Sequence, residues 1–311
     1  MPTDKPGLID RSIVDALLLA AAPEREADLA VLWEKYDPGF VVEEDRPGLV
    51  FRAGKDRITF SAKTLQHDWI LAFAAWKAFR AYSPAIVVAD FLAKPLSPEM
   101  LTEDSGLAAE VASSDELLYY ALELRRADNA EQVTSPPNIP EPAPDSAGFS
   151  IEDQAAFNLL SIATTATFLH EVRHLRYFQD EDVPAIRRDE ENLCDEYARE
   201  FLTSHCHEYA RVVAKPTAAI LNLRTMGMAL AAYIIHEATP IDQQAGSDEY
   251  PGSAERFISL VGNPDLPDSC DCWVFASALL LSTLRRTSRF KTSVAFTNAK
   301  DLFLSLCRML P

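Results

Sequence analysis

Phe168-Leu169-His170-Glu171-Val172-Arg173-His174-Leu175 lies near the end of a long apolar-periodic segment and carries the pattern H-E-x-x-H. Upstream, Ser150-Ile151-Glu152-Asp153 has the form of a capping box, which opens a helix. Phe157, Leu160, Thr164, Phe168 and Leu175 recur at helical spacing, so one helix is expected to run on to Phe178. Residues four apart share a helix face, so both imidazoles can meet one ion. Zinc takes histidine nitrogen readily. Glu171, one residue beyond His170, is close enough to hold a water at that ion. A metal polarises a carbonyl and acidifies water, and a carboxylate can take the proton, so the pattern points to hydrolytic chemistry. The competing reading is a surface helix that merely carries two histidines.

Seventeen residues after His174 comes a second signal, Glu191-Asn192-Leu193-Cys194-Asp195-Glu196-Tyr197-Ala198-Arg199-Glu200-Phe201. On a helix Glu191 and Asp195 lie one turn apart on one face, with Leu193, Tyr197 and Phe201 on a neighbouring stripe. A carboxylate facing two histidines completes a three-ligand zinc site with an open fourth position, the arrangement of catalytic rather than structural zinc. Glu191 is favoured by its register with Asp195, although Asp189, Glu190 and Glu196 are close by. Asp195 is then placed to accept the outer N–H of a ligand histidine and fix its tautomer. Taken alone, the stretch reads as an amphipathic helix with a solvated acidic face. Cys194 reads as a small packed hydrophobe.

Outward from this pair the chain is mainly helical. Residues 10–36 read as helix interrupted near Pro23, which can itself start a second helix. Runs at residues 40–42, 49–51 and 58–60, separated by Pro47-Gly48 and Gly54-Lys55-Asp56, predict a small antiparallel β meander. Leu65, Trp69, Phe73, Trp76 and Phe79 form a helical stripe that reads as core. Helices are expected at about 97–111, 114–130, 187–213, 217–238, 252–261, 271–286 and 298–309. Prolines 136, 137, 140, 142 and 144 mark the clearest break. The expected organisation is an N-terminal α+β region at 1–134, a Pro-rich linker or loop at 135–147, and a helical region carrying the motif at 148–311.

Composition narrows the function classes. Of 311 residues, 48% are hydrophobic and 24% charged, which is globular rather than disordered. The formal net charge of −18 argues against a nucleic-acid surface and against anionic membranes, both of which need clustered Lys and Arg. A basic protein partner would suit it, though acidity more often serves solubility. No basic n-region feeds an apolar core near Met1, and residues 17–22 are too short for one. Residues 218–238 are interrupted by Asn222, Arg224 and His236 and read as a buried helix rather than a span. Five cysteines suggest no disulfide framework. A cytoplasmic protein with reduced thiols is expected. His205-Cys206-His207 and Cys270-Asp271-Cys272 have zinc-binding residue types at unusual spacings, so solvated histidines and buried thiols are the default expectation.

H-E-x-x-H on one helix with E-x-x-x-D on the next resembles the gluzincin metallopeptidases, especially the compact core of HtpX-type and CAAX prenyl proteases. Tyr250-Pro251-Gly252-Ser253-Ala254-Glu255-Arg256-Phe257-Ile258-Ser259-Leu260 is similar to their H-P-x-x-x-x-R-I-x-x-L segment. Pro251, Arg256 and Leu260 match, and Tyr250 stands where that family has histidine. The chain length, the internal H-E-x-x-H and the following C-D-x-x-A-x-x-F look more like the phage-exclusion, Lit-like peptidases. The resemblance covers about residues 150–260. It implies a helical minigluzincin-like core and a zinc-dependent endopeptidase acting on an intracellular protein, with a role in phage defence or regulation. His170, His174 and Glu191 would hold Zn2+, with Glu171 activating water. Tyr250, Arg256 and His236, in that order, are the candidates to steady the oxyanion. The rival expectation is a non-catalytic or partner-activated regulatory protein that keeps the metal core as a structural element.

Overall fold

The computed structural model describes residues 7–43, 48–101, 105–142, 147–262 and 265–311. As expected, it is mainly α, with a small sheet near the N-terminus. A short strand β1 (Gly7–Ile9) leads into α1 (Arg11–Ala21), which is capped by the Asp10 carboxylate. After a single 3-10 turn opened by Pro23 comes α2 (Glu26–Tyr36). The strands β2 (Gly39–Glu43), β3 (Phe51–Ala53) and β4 (Arg57–Ser61) follow. The sheet order is β1-β2-β4-β3.

That order corrects the antiparallel meander. β4 pairs antiparallel with β3 but parallel with β2, with Phe40 opposite Ile58 and Val42 opposite Phe60. The hairpin at Gly54 therefore inserts β4 between its two predecessors, and β1 adds an unforeseen antiparallel edge. The parallel pairing is fixed by burial. Phe40, Ile58 and Phe60 are buried, and Phe40, Phe51 and Phe60 all pack on Phe168 at ring distances of 4.8–6.1 Å. A meander pairing would give up this shared apolar face. Pro47 and Pro144, both read as turn or loop signals, lie outside the described residues.

Ser61 ends β4 and caps α3 (Ala62–Phe91), a 30-residue helix that buries Trp69 and Phe73 of the expected stripe and packs Trp76 and Phe79 against the core, while Leu65 is exposed. It packs against α4 (Ser105–Arg126). The two helices expected at 97–111 and 114–130 are thus one helix preceded by a 3-10 turn at Glu99–Leu101, with 102–104 outside the described residues. Ser113 and Ser114 do not break it. The Ser114 hydroxyl is buried and donates to the Ala74 carbonyl of α3, so a small polar residue sits at the close approach of two helices. Residues 135–142 form no helix or strand, and the Pro140 carbonyl accepts the Trp69 indole N–H at 2.9 Å.

α5 (Ile151–Asp180) starts where the capping box puts it, with Ser150 accepting the Asp153 amide at 3.1 Å. It is the hub, touching α1, α3, α6, α8 and the sheet. α6 (Arg187–Thr203) lies along it and is separated from α7 (Cys206–Val212) by a break at 204–205, where one continuous helix was expected. The long apolar α8 (Thr217–Ala238) packs on α5, α9 (Ser253–Val261) and α10 (Asp271–Arg286), and α11 (Ala299–Cys307) closes the core against α10. By length and composition α8 is the one described helix able to cross a bilayer, but most of it is buried inside the fold.

Candidate metal centre

α5 carries its motif with two faces in use. Phe168 and Glu171, three residues apart, turn towards the sheet. His170 and His174, four apart, turn towards α6. The two imidazoles present their Nε2 atoms 3.1 Å from each other. Each Nδ1 is tied from behind by a carboxylate of α6: Asp195 Oδ1 at 2.7 Å from His170, and Glu190 Oε1 at 2.6 Å from His174. The Glu191 carboxylate faces the Nε2 pair, at 3.4 Å from His170 and 3.5 Å from His174. Glu171, Glu190, Glu191, Asp195 and His174 are all buried.

Two arginines hold the carboxylates in place. Arg187, in the first turn of α6, reaches Glu190 and Glu191 at 2.7 Å each. Arg256 of α9 binds Glu191 at 2.6 Å and Asp195 at 3.2 and 3.3 Å. Its placement depends on the α8–α9 loop. Gly246 there has φ +79°, and a Cβ would meet the Gly252 backbone at 2.5 Å, so only glycine fits the fold-back. Arg256 can thus span α6 from a rigid corner.

The electrostatics follow from this crowding. Burial favours a neutral imidazole at His170, but contacts with Asp195 and Glu191 outweigh it and raise its pKa to about 10. Burial would push the Glu191 carboxyl up, yet the two imidazoles and Arg256 hold it well below the usual carboxylate range. At Glu171 the balance falls the other way. Burial pushes its carboxyl up, against the pull of both histidines and of the Ala53 amide, which donates to Oε2 at 2.5 Å. A carboxyl poised above its ordinary value suits proton transfer near neutral pH.

Three donors can close on one ion. Nε2 of His170, Nε2 of His174 and the Glu191 oxygens are separated by 3.1–3.5 Å. In a tetrahedral site with about 2.0–2.1 Å ligand distances, donors stand about 3.3 Å apart, so this set fits a small cation. Among the described residues, His170, His174 and Cys194 also form a group with metal-site spacing. Cys194 is the poorer third ligand. Its Sγ lies 3.5 Å from the Nδ1 side of His174, which Glu190 already holds. Burial and neighbouring carboxylates push its thiol up, away from the thiolate that binds metal.

The centre lines a cavity of about 330 Å³ with polar ligands on one side and Phe51, Ala166, Ala231, Ile235 and Leu260 among its apolar walls. Of the oxyanion candidates, only Arg256 lines it. Tyr250 lies outside, half exposed, with the Arg187 guanidinium 5.7 Å from its ring centre. His236 is buried and faces a different cavity, its Nδ1 2.8 Å from Ser253 Oγ. At the start of α7 His205 is half-buried and His207 exposed, and Cys270 and Cys272 join no metal-type group among the described residues. Sequence reasoning missed Arg187 and the Ala53 amide. Arg187 sits three and four residues before Glu190 and Glu191, a spacing that could have revealed it. A backbone amide carries no sequence signal.

A family model described as Peptidase U49 matches residues 58–276, more than half of the chain. The chain belongs to the peptidase U49 family. A peptidase family implies proteolytic function, and the matched span of this U49 chain holds every side chain of the candidate ligand cluster. It begins at β4, so the Ala53 amide lies just outside it. No curated protein and no solved structure matches the chain.

Proposed function

We propose that this U49 peptidase is a zinc-dependent endopeptidase of the gluzincin type, with His170, His174 and Glu191 as metal ligands and Glu171 as general base. The observation that carries the reading is the two-sided support of the histidines. Both Nδ1 atoms are engaged by carboxylates, which leaves both Nε2 atoms aimed at one point together with Glu191. A structural site would have no use for Glu171, buried beside that point.

A bound zinc ion would lower the pKa of water and polarise the scissile carbonyl. The chain supplies the rest. Glu171 is anchored by the Ala53 amide through Oε2, and its other oxygen takes the proton of the attacking water. The raised carboxyl then returns that proton to the leaving amine. Asp195 and Glu190 fix the histidine tautomers so that Nε2 keeps its lone pair. Arg256 is a positioning residue, because its terminal nitrogens are committed to Glu191 and Asp195. The apolar walls exclude water and accept the side chains of a polypeptide. Following the resemblance to phage-exclusion peptidases, we place the enzyme in the cytoplasm with an intracellular protein as substrate, in phage defence or regulation.

Metal analysis with one variant tests this. Purified protein is expected to hold about one zinc per chain. Glu171→Gln is expected to keep zinc and fold while losing turnover by about a hundredfold or more. A wild type that cannot be loaded with metal, or a Glu171→Gln protein as active as wild type on a verified protein substrate, overturns the reading.

A further inference from the structure

A second cavity, of about 250 Å³, lies where the C-terminal turns of α4, α8 and α10 meet α3. Its walls include Arg125 and Arg126 of α4, Arg286 of α10, His236 and Glu237 of α8, and His67 of α3. Three arginines and two histidines therefore share this lining with one glutamate, with Asp68 against His67 and Glu123 against Arg126, in a chain whose acids outnumber its bases by 47 to 29.

Cations at helix C-termini are expected from the macrodipole alone, and part of the cluster does that work. Arg125 donates through one terminal nitrogen to the Glu237 carbonyl at 2.6 Å, and Arg286 pairs with the Glu237 carboxylate. Capping leaves much unused. The second terminal nitrogen of Arg125 has no hydrogen-bond partner among the described residues, and Arg126 has only a 3.4 Å contact to Glu123. His236 is 2% exposed and His67 is 1% exposed. Each has its Nδ1 engaged, His236 by Ser253 Oγ at 2.8 Å and His67 by Asp68 Oδ1 at 3.2 Å. Neither Nε2 has a partner among the described residues, although both rings line the cavity. The guanidinium N–H groups of Arg125 and Arg126 that have no protein partner open onto the cavity, where an acceptor-rich occupant can take them.

We propose that this cavity is a binding site for a phosphoryl group, either free phosphate or a small phosphorylated molecule. A tetrahedral dianion offers more acceptors than a carboxylate and matches the forked geometry of arginine. Arg125 and Arg126 supply the unfilled donors, and His236, with the Ser253 hydroxyl donating to its Nδ1, supplies an Nε2 N–H from the buried end. Arg286 is held by Glu237 and contributes charge. The site is separate from the metal centre, yet close to its supports. His236 bonds Ser253, the first residue of α9, and Arg256 lies on the same helix.

Calorimetric titration of the full-length protein with inorganic phosphate tests the proposal. Saturable binding of one phosphate per chain is expected. Arg125→Gln and Arg126→Gln should each weaken it by about tenfold, the cost of one charge-assisted hydrogen bond. Arg126 is largely exposed, so its variant tests the site without threatening the fold. Arg187→Gln, at the metal centre, should leave phosphate binding unchanged. Absence of saturable binding overturns the site, as does wild-type affinity in both Arg125→Gln and Arg126→Gln. Loss of binding in Arg187→Gln would assign the anion to the metal centre and equally overturn it. Glycerol phosphate and acetate separate the sources. Tighter binding of glycerol phosphate than of inorganic phosphate identifies a phosphorylated molecule, and weaker binding identifies free phosphate. Acetate binding as tightly as phosphate overturns the phosphoryl assignment.

Discussion

At His170 a proton and the proposed metal ion would compete for the same ring. In the metal-free protein Asp195 and Glu191 raise its pKa to about 10, against the opposing effect of burial, so the imidazole is protonated at neutral pH. The folded value exceeds the ordinary one of about 6.5. The resulting stability is therefore fully present below about pH 6.5 and lost as pH rises through about 10. Metal loading must expel that proton, so apparent zinc affinity should climb with pH across the same window, by up to about tenfold per unit for one proton. Competition with a chelator of known affinity at several pH values measures this, and a flat profile would mean that His170 is not a ligand. The carboxylate behind it predicts a graded effect. Asp195→Asn keeps an acceptor for the ring but loses the charge, and should weaken zinc retention by about 10–100-fold while the protein stays folded. Glu190→Gln should act in the same way through His174. Asp195 was legible in the sequence because it lies one turn from Glu191. Glu190 was visible only as one of several neighbouring acids, because Nδ1 of His174 approaches α6 from a side that spacing alone does not specify.

The elements succeed or fail as guides according to whether their cause is local. The capping box at Ser150 and the apolar repeat set α5 without tertiary help. The sheet order depends on which strands share Phe168, a contact more than a hundred residues away in sequence, so turn signals alone gave the wrong pairing. The approach of α8 to α5 is equally non-local. A Cβ on Gly227 would lie 2.4 Å from both Cβ and Cγ2 of Ile162 on α5. These atoms sit at the root of the side chain and cannot swing away. Gly227→Ala should therefore push α8 from the helix that carries the motif and destabilise the protein by about 1–3 kcal/mol, despite alanine's better helix propensity. Denaturant unfolding measures the loss. A Gly227→Ala protein more stable than wild type would disprove the close contact.

At the scale of the molecule, the segment before the matched span is bound to the peptidase helices by one buried ion pair. Arg224 of α8 is 2% exposed, and it grips the Glu24 carboxylate with both terminal nitrogens, at 2.5 and 2.8 Å. The same guanidinium donates to the Leu202 carbonyl at the end of α6, so one side chain joins the N-terminal 3-10 turn to two helices around the metal centre. Position 224 was legible as an interruption in an apolar run, but its partner 200 residues earlier was not, because nothing local to Glu24 marks it as buried. Removing one partner strands the other charge away from water. Glu24→Gln should then cost about 3–5 kcal/mol, as is typical for breaking a buried pair. The double variant Glu24→Leu with Arg224→Met removes both charges and should cost far less than Glu24→Gln alone, since it deletes the desolvation penalty together with the attraction. Unfolding curves of the three proteins decide between a tie of this strength and a pair that contributes only shape. If Glu24→Gln unfolds with wild type, the N-terminal segment is not anchored through Arg224, and the position of the sheet over α5 must rest on Phe168 and the Ala53–Glu171 hydrogen bond.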